Sequence, residues 1–335
     1  ETPMSLPAPH PAEPGFSAIR DAASRIAAEA RRTPLLESPL LNARLGGRLL
    51  VKAEPLQRTG SFKFRGAFNR ISRLDADERR RGVVAFSSGN HAQGVAAAAA
   101  LVGAPAVIVM PSDAPAIKVA NTRAYGAEVV AYDRLREDRE EIGRRICAER
   151  GSILVPPYDD PHVIAGQGTV GLEMAEQARE MGVRLDAVAA CASGGGLVAG
   201  IALAMEHESP GTEVHVCEPA GFDDHARSLA AGRRLANAPG ASSICDALLA
   251  SMPGEITFPV NARLLRGGIA VGDDEVLAAI GVAFRDLKLV VEPGGAVALA
   301  AALTGRLPVA GRCVAVVCSG GNVDPAIFAR ALATT

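Results

Sequence analysis

Short apolar runs alternate with longer stretches in which apolar residues recur every three or four positions, along most of a chain of 335 residues. Runs this short suit buried strands better than helices. Strands are therefore predicted at 49–53, 83–86, 106–109, 128–132, 152–154, 187–191, 213–217 and 313–318. Each leads into turn residues or a helix-period stretch. Strands that alternate with helices pack as twisted, mostly parallel sheets covered by helices on both faces, which is an α/β fold.

Two of the helical stretches differ in character. Residues 92–101 are nearly all alanine and apolar, so that helix is expected to be buried all round, whereas 135–150 alternates charges and is expected to face water. The strand-helix steps between 82 and 158 predict a small inserted domain, entered after Arg79-Arg80-Arg81 and left at Pro156-Pro157. The large domain is then discontinuous, 4–81 plus 159–335, with 1–14 as a flexible N-terminal segment that lacks the basic start and apolar core of a signal peptide. Residues 233–259, rich in Gly, Pro, Ser and Ala, read as a long, partly irregular connection.

Composition narrows the function classes. The chain has 35 basic and 37 acidic side chains and a net charge of −2, with no basic stretch dense in aromatics, so neither nucleic acid nor an anionic membrane is an expected partner. No apolar run reaches the roughly 18 to 20 residues of a membrane span. The six cysteines are scattered without Cys-x-x-Cys or a paired-histidine spacing, which predicts free buried thiols and a cytoplasmic protein.

Candidate chemistry lies at three strand ends, in Ser87-Ser88-Gly89-Asn90-His91, Ser193-Gly194-Gly195-Gly196-Leu197 and Ser319-Gly320-Gly321-Asn322. In open α/β sheets such loops converge on the ligand crevice. The glycine loop offers unobstructed backbone N–H groups and then opens a helix, which suits a phosphate. A plain strand-to-helix turn and a dinucleotide site are the alternatives for that loop alone. The Ser87–His91 stretch, with hydroxyl and N–H donors at a helix start, suits a substrate carboxylate, or simply caps the helix. Lys63 sits between Phe62 and Phe64 where a loop passes into a helix. Apolar crowding favours its free amine, which an aldehyde cofactor requires for a Schiff base; a snorkelling surface lysine is the alternative.

Six separated motifs carry a resemblance: Ser-Phe-Lys-Phe-Arg-Gly-Ala from Ser61, Ser-Ser-Gly-Asn-His-Ala-Gln-Gly from Ser87, Ile-Ala-Gly-Gln-Gly-Thr from Ile164, Ser193 to Leu197, Glu-Pro-Gly-Gly-Ala from Glu292, and Ser-Gly-Gly-Asn from Ser319. In this order the chain resembles the fold type II pyridoxal-phosphate enzymes, of tryptophan synthase beta-like fold, and within them the threonine/serine dehydratase and serine racemase group. The resemblance implies pyridoxal 5′-phosphate on Lys63, with Phe62 beside its ring and Asn90 on its phenolic oxygen. Gly194, Gly195, Gly196 and Leu197 would hold the phosphate, and Ser319 would meet the ring nitrogen. A hydroxyl is too weak an acid to keep that nitrogen protonated, which favours prompt loss of a β-substituent.

For the substrate, the resemblance adds Arg139, which matches a racemase arginine that approaches dicarboxylates. Ser88 resembles the racemases' proton donor. Glu218, the carbonyl of Phe222 and Asp224 match a site for Mg²⁺ or Ca²⁺. Two departures bear on substrate geometry: Ala247 and Ser193 stand where many relatives have glycine. The expected reaction is α,β-elimination of water from a small hydroxy amino acid, L-threonine or L-serine, giving 2-oxobutanoate or pyruvate and ammonia, in a homodimer. The alternatives are a serine or aspartate racemase, a 3-hydroxyaspartate dehydratase, a β-replacement synthase, and a non-catalytic amino-acid sensor on the same fold.

Overall fold

Ten strands form among the residues described by this computed structural model, which are 7–87, 89–114, 116–133 and 135–334, without the side chain of Ile117. They are β1 (Leu35–Glu37), β2 (Arg48–Ala53), β3 (Val83–Phe86), β4 (Ala106–Pro111), β5 (Glu128–Tyr132), β6 (Ile153–Leu154), β7 (Ala187–Cys191), β8 (Glu213–Pro219), β9 (Gly267–Val271) and β10 (Cys313–Cys318). One sheet runs β1-β2-β10-β7-β8-β9 and a second β5-β4-β3-β6. Every pairing is parallel except β1 with β2.

The smaller sheet shows how strand alternation builds two layers. Val83 and Ala85 of β3, with Ile108 and Met110 of β4, pack with Val95 and Ala98 of the helix Asn90–Val102. Their neighbours Val84, Phe86, Val107 and Val109 pack with Ile142 and Ile146 of the helix Arg139–Arg150. In the larger sheet every residue of β7 is buried, as a strand covered on both faces requires. The helices Gly196–Glu208 and Pro293–Leu303 are apolar nearly all round and lie in its core.

Three sequence expectations change. β1 and β9 were not expected; both lie at sheet edges and are mostly half-buried, so neither carries an unbroken apolar run. The charged helix begins at Arg139, not at 135, because the Asp138 carboxylate caps it by accepting the N–H groups of Glu140 and Glu141. The irregular connection contains a 3₁₀ turn, Asp246–Leu248, and ends as the helix Thr257–Leu264 starts. Of the N-terminal segment, 1–6 lie outside the described residues, and Glu13 pairs with Arg263 at 2.5 Å.

Two features fix the helix Lys63–Ile71. It crosses the helix Pro161–Glu180 so closely that a Cβ on Gly166 would fall 2.6 Å from the Gly66 Cα, which gives the Ile164 motif a packing role. Beside this crossing lies a quartet of charges, three of them buried and the fourth, Glu173, half-buried. Arg65 forks onto Glu54 (2.9 and 2.8 Å) and onto Glu173 (2.7 and 2.8 Å), and Lys52 binds Glu173 at 2.7 Å. Thr33 and Gln177 supply further hydrogen bonds. All six cysteines are free, and among the described residues no helix is long and apolar enough to cross a membrane.

Candidate active site

The loops after β3, β7 and β10 meet at the carboxyl ends of their strands, around a cleft that is partly open to solvent. The segment before Lys63 is held there by the backbone. Ser61 bridges Gly320, the Phe62 N–H donates to the Ser319 carbonyl at 3.1 Å, and the Gly321 N–H donates to the Gly60 carbonyl at 2.9 Å. Of the expected site residues, Phe62, Lys63, Ser87, Asn90, His91, Arg139, Gly194, Gly195, Gly196, Leu197 and Ser319 all line this one cleft. Ser88 lies outside the described residues.

Lys63 opens its helix. Its Nζ donates to the Pro157 carbonyl at 2.6 Å and stands 5.3 Å from the centre of the Phe62 ring. It has no carboxylate partner among the described residues, and burial pushes its amine down to about 8. His91 is pushed down to about 3, first by burial and then by Lys63, so its imidazole is neutral. The Val155 carbonyl can only accept, so the Nε2 that meets it at 2.8 Å carries the hydrogen. Nδ1 is left a buried acceptor without a partner among the described residues.

The glycine loop turns its carbonyls away from the cleft. The Gly194 carbonyl accepts from the Gly254 N–H (3.1 Å) and the Thr257 hydroxyl (2.5 Å), and that of Gly195 accepts from the Ala199 N–H (3.0 Å). The N–H groups at the start of the helix Gly196–Glu208 have no intrahelical partner and carry the positive end of its dipole. Gly195 has φ +94°, and a Cβ there would come 2.4 Å from His225 Nε2. The loop is thus a cradle for an oxyanion that only glycine permits.

Asn90 begins the helix Asn90–Val102 and is held from both ends of its amide. Its Oδ1 accepts from Asn322 Nδ2 at 2.8 Å, and its Nδ2 donates to Glu292. One amide N–H remains for a ligand. Burial first, then Asp246, pushes Glu292 up to about 7. Across the cleft Ser319 Oγ accepts from the Cys191 thiol at 3.3 Å. Ser87 Oγ accepts the Gly89 N–H at 3.1 Å, and its loop ends at the positive end of the Asn90–Val102 helix. At the cleft's mouth the exposed Arg139 guanidinium lies 5.5 Å from the centre of the Phe86 ring and has no ion pair among the described residues.

Sequence reasoning missed several lining residues: Lys118, Tyr158, Cys191, Asp246 and, as a site residue, Glu292. Glu292 stood in a quoted motif, so a signal existed. Tyr158 did not stand out, since only the fold lays its ring on Gly194, where a Cβ would meet it at 2.2 Å. Lys118 and Asp246 form an ion pair over the cleft from segments 128 residues apart. Ala247 lines the cleft, and Ser193 Oγ accepts the Ala250 N–H at 3.2 Å.

A second polar cluster lies behind the glycine loop. Glu218 accepts the N–H groups of His225 (2.8 Å) and Ala226 (2.9 Å), and lies 3.2 Å from His225 Nδ1. Asp224 Oδ1 accepts from Asn237 at 2.7 Å, while the buried Oδ2 has no hydrogen-bond partner among the described residues and lies 3.6 Å from His225 Nδ1. Burial, then Glu218, pushes Asp224 up to about 6. The expected pair of carboxylates is therefore close enough to share a cation, with His225 as a third group that sequence reading left out.

The cleft fits pyridoxal phosphate on its own terms: a half-buried amine with no carboxylate partner among the described residues, an oxyanion cradle, and a clamped amide and a hydroxyl between them. The comparisons agree. The chain is 43% identical over 312 residues to an L-threo-3-hydroxyaspartate ammonia-lyase of Saccharomyces cerevisiae, covering 93% of this chain and 94% of that one. It is 41% identical over 319 residues to a serine racemase of Oryza sativa subsp. japonica, covering 94% and 92%. The solved structure of the T.th. threonine deaminase is 47% identical, with a TM-score of 0.88 over 93% of this chain and 99% of the other. The family model described as "Pyridoxal-phosphate dependent enzyme" matches residues 26–319. The chain belongs to this family of pyridoxal-phosphate-dependent enzymes, with their fold type II architecture.

Proposed function

We propose that this protein is an ammonia-lyase that removes water from a small L-3-hydroxy amino acid, with 3-hydroxyaspartate ahead of threonine and serine. The observation that carries the ranking is Arg139, a cation at the cleft's mouth that stacks on Phe86 and has no carboxylate among the described residues. A substrate's second carboxylate gives it one. This reverses the order expected from sequence, where threonine and serine led. The relatives' names support the same class: two matches at 43% and 44% identity are L-threo-3-hydroxyaspartate ammonia-lyases.

Bound pyridoxal phosphate supplies the electron sink that makes the substrate's Cα–H acidic. The N–H groups of Gly194, Gly195, Gly196 and Leu197 would hold its phosphate, the remaining Asn90 N–H would serve its phenolic oxygen and Ser319 its ring nitrogen, and Phe62 would pack beside its ring. The start of the Asn90–Val102 helix, with Ser87, seats the substrate α-carboxylate, His91 lines that wall, and Arg139 takes the distal carboxylate. Lys63 then moves the proton. A neutral amine is accessible near pH 8, so its Nζ accepts the Cα proton and returns it to the β-hydroxyl, which leaves as water. The freed enamine hydrolyses in solution to a 2-oxo acid and ammonia.

Glu218 and Asp224, with the Phe222 carbonyl, would hold a hard divalent cation such as Mg²⁺ or Ca²⁺, and Asp224 Oδ2, buried without a hydrogen bond among the described residues, fits that use. Its place behind the glycine loop suits a structural or activating ion. An inserted domain over 82–158, a cytoplasmic location, which the scattered free cysteines favour, and a homodimer, on family resemblance alone, belong to the same proposal. Racemisation of serine or aspartate is the second reading, favoured by Ser88 next to Gly89-Asn90 in the sequence.

A 2-oxo-acid assay of the cofactor-loaded protein across L-threonine, L-serine, D-serine and the 3-hydroxyaspartates tests the proposal. Arg139→Leu is expected to lower kcat/KM for 3-hydroxyaspartate about 10- to 100-fold, since a charge-assisted pair contributes about 1.5–3 kcal/mol, and to change threonine turnover less than threefold. Equal loss on both substrates removes Arg139 from substrate recognition. Enantiomer interconversion without oxo acid moves the assignment to a racemase, and no chemistry at all to a sensor.

A further inference from the structure

Cys191 is the last residue of β7, and Ser319 follows β10, the parallel neighbour of β7. Both side chains are buried and both line the cleft, with Sγ and Oγ 3.3 Å apart. Burial pushes the thiol up to about 11, so it keeps its hydrogen at any physiological pH. A hydroxyl offers one hydrogen and two lone pairs, whereas a thiol sulfur accepts only weakly. When a good acceptor faces the hydroxyl from the cleft, the O–H turns to it and the S–H takes an oxygen lone pair.

We infer that Cys191 is a positioning residue for Ser319: its S–H engages Oγ and leaves the Ser319 O–H as the donor presented to the cofactor's ring nitrogen. The inference rests on the proposed role of Ser319. The serine hydroxyl alone can serve either a bare nitrogen, as donor, or a protonated one, as acceptor. With the thiol donating to one lone pair, the O–H has no acceptor among the described residues, so the ring nitrogen is the group that takes it and the donor arrangement is favoured. The nitrogen stays unprotonated, and the weak electron sink expected from a serine at this position is enforced by its neighbour.

The test compares Cys191→Ala, Cys191→Ser, Ser319→Ala and the Cys191→Ala/Ser319→Ala double variant as cofactor-loaded proteins. Cys191→Ala is expected to shift the cofactor's absorption spectrum and its pH dependence, and to lower kcat about fivefold with KM within twofold, about the effect of one hydrogen bond. Cys191→Ser, which keeps a donor, retains the parental spectrum. In the Ser319→Ala background the cysteine substitution has no further effect on the spectrum, which a packing role would not produce. The S–H stretching band assigned to Cys191 in infrared difference spectra moves to higher frequency in Ser319→Ala. A parental spectrum in Cys191→Ala, or an S–H band that ignores Ser319→Ala, overturns the inference. If Ser319→Ala itself leaves the cofactor spectrum unchanged, the reading of Ser319 falls first. If Cys191→Ala does not fold or load, Cys191→Ser and the infrared band decide.

Discussion

Replacing Lys63 by methionine is expected to abolish turnover and, at neutral pH, to make the cofactor-free protein more stable. The amine lies beside the Phe62 ring with the Pro157 carbonyl as its one hydrogen-bond partner among the described residues, and burial lowers it from 10.5 to about 8. At pH 7 the folded chain therefore carries a charge its surroundings disfavour. The gap between the two values corresponds to about 3–4 kcal/mol, lowered to roughly 3 because the side chain borders an open cleft. Methionine keeps an unbranched apolar stem of similar length, but it deprives the Pro157 carbonyl of its donor, at a cost of about 1–2 kcal/mol. The net gain is about 1–2 kcal/mol. A chain of 335 residues unfolds with an entropy of ~0.7 kcal/mol/K, so Tm rises by about 1–3 °C. The sign with pH follows from linkage. Between about 8 and 10.5 the unfolded chain binds the lysine proton and the folded chain does not, so this group makes the parent's stability climb through that window. The variant lacks the climb, and its advantage disappears as pH rises from 7 toward 10. Thermal and urea unfolding of both cofactor-free proteins at pH 7 and pH 10 measure this. A variant no more stable than the parent at pH 7, or an advantage independent of pH, refutes the reasoning.

Three further outcomes are expected. Gly195→Ala forces a side chain onto a residue with φ +94° and against His225 Nε2, and should weaken pyridoxal phosphate affinity at least tenfold by fluorescence titration; parental affinity would remove the loop from phosphate binding. Arg65→Met leaves Glu54 buried with only the Thr33 hydroxyl as a side-chain partner, and should cost about 3–5 kcal/mol, or about 4–7 °C in Tm; a loss under 1 °C would show that the quartet does not act as one unit. Mg²⁺ or Ca²⁺ at a hundred times its Kd should raise the parent's Tm by about 4 °C and leave Asp224→Asn unmoved; no shift in the parent would dismiss the cation site.

Much of the fold was legible because parallel strands covered on both faces are apolar from end to end. β7 and β10 announced themselves this way, whereas β1, with three residues, and β9, opening on Gly267-Gly268, lie half-buried at edges and carry no such mark. The site was legible where one local segment presents its own chemistry, as in Phe62-Lys63-Phe64 and Ser193 to Leu197. It was illegible where chemistry comes from juxtaposition. Glu292 acquires its meaning from Asn90, 202 positions away, and Cys191 from Ser319, 128 positions away. His225 reads as an ordinary helix residue until the glycine loop folds against it.

The quartet of charges has a consequence for how such a sequence can change over generations or at a designer's bench. Glu54, Arg65, Glu173 and Lys52 balance one another, and each comes from a different element. Any one of them altered alone strands an opposite charge, so the intermediate steps toward an apolar replacement are all worse than either endpoint. The four positions are therefore accessible to substitution only together. A graft of the lysine-bearing helix onto another scaffold has to bring its three distant counterparts along.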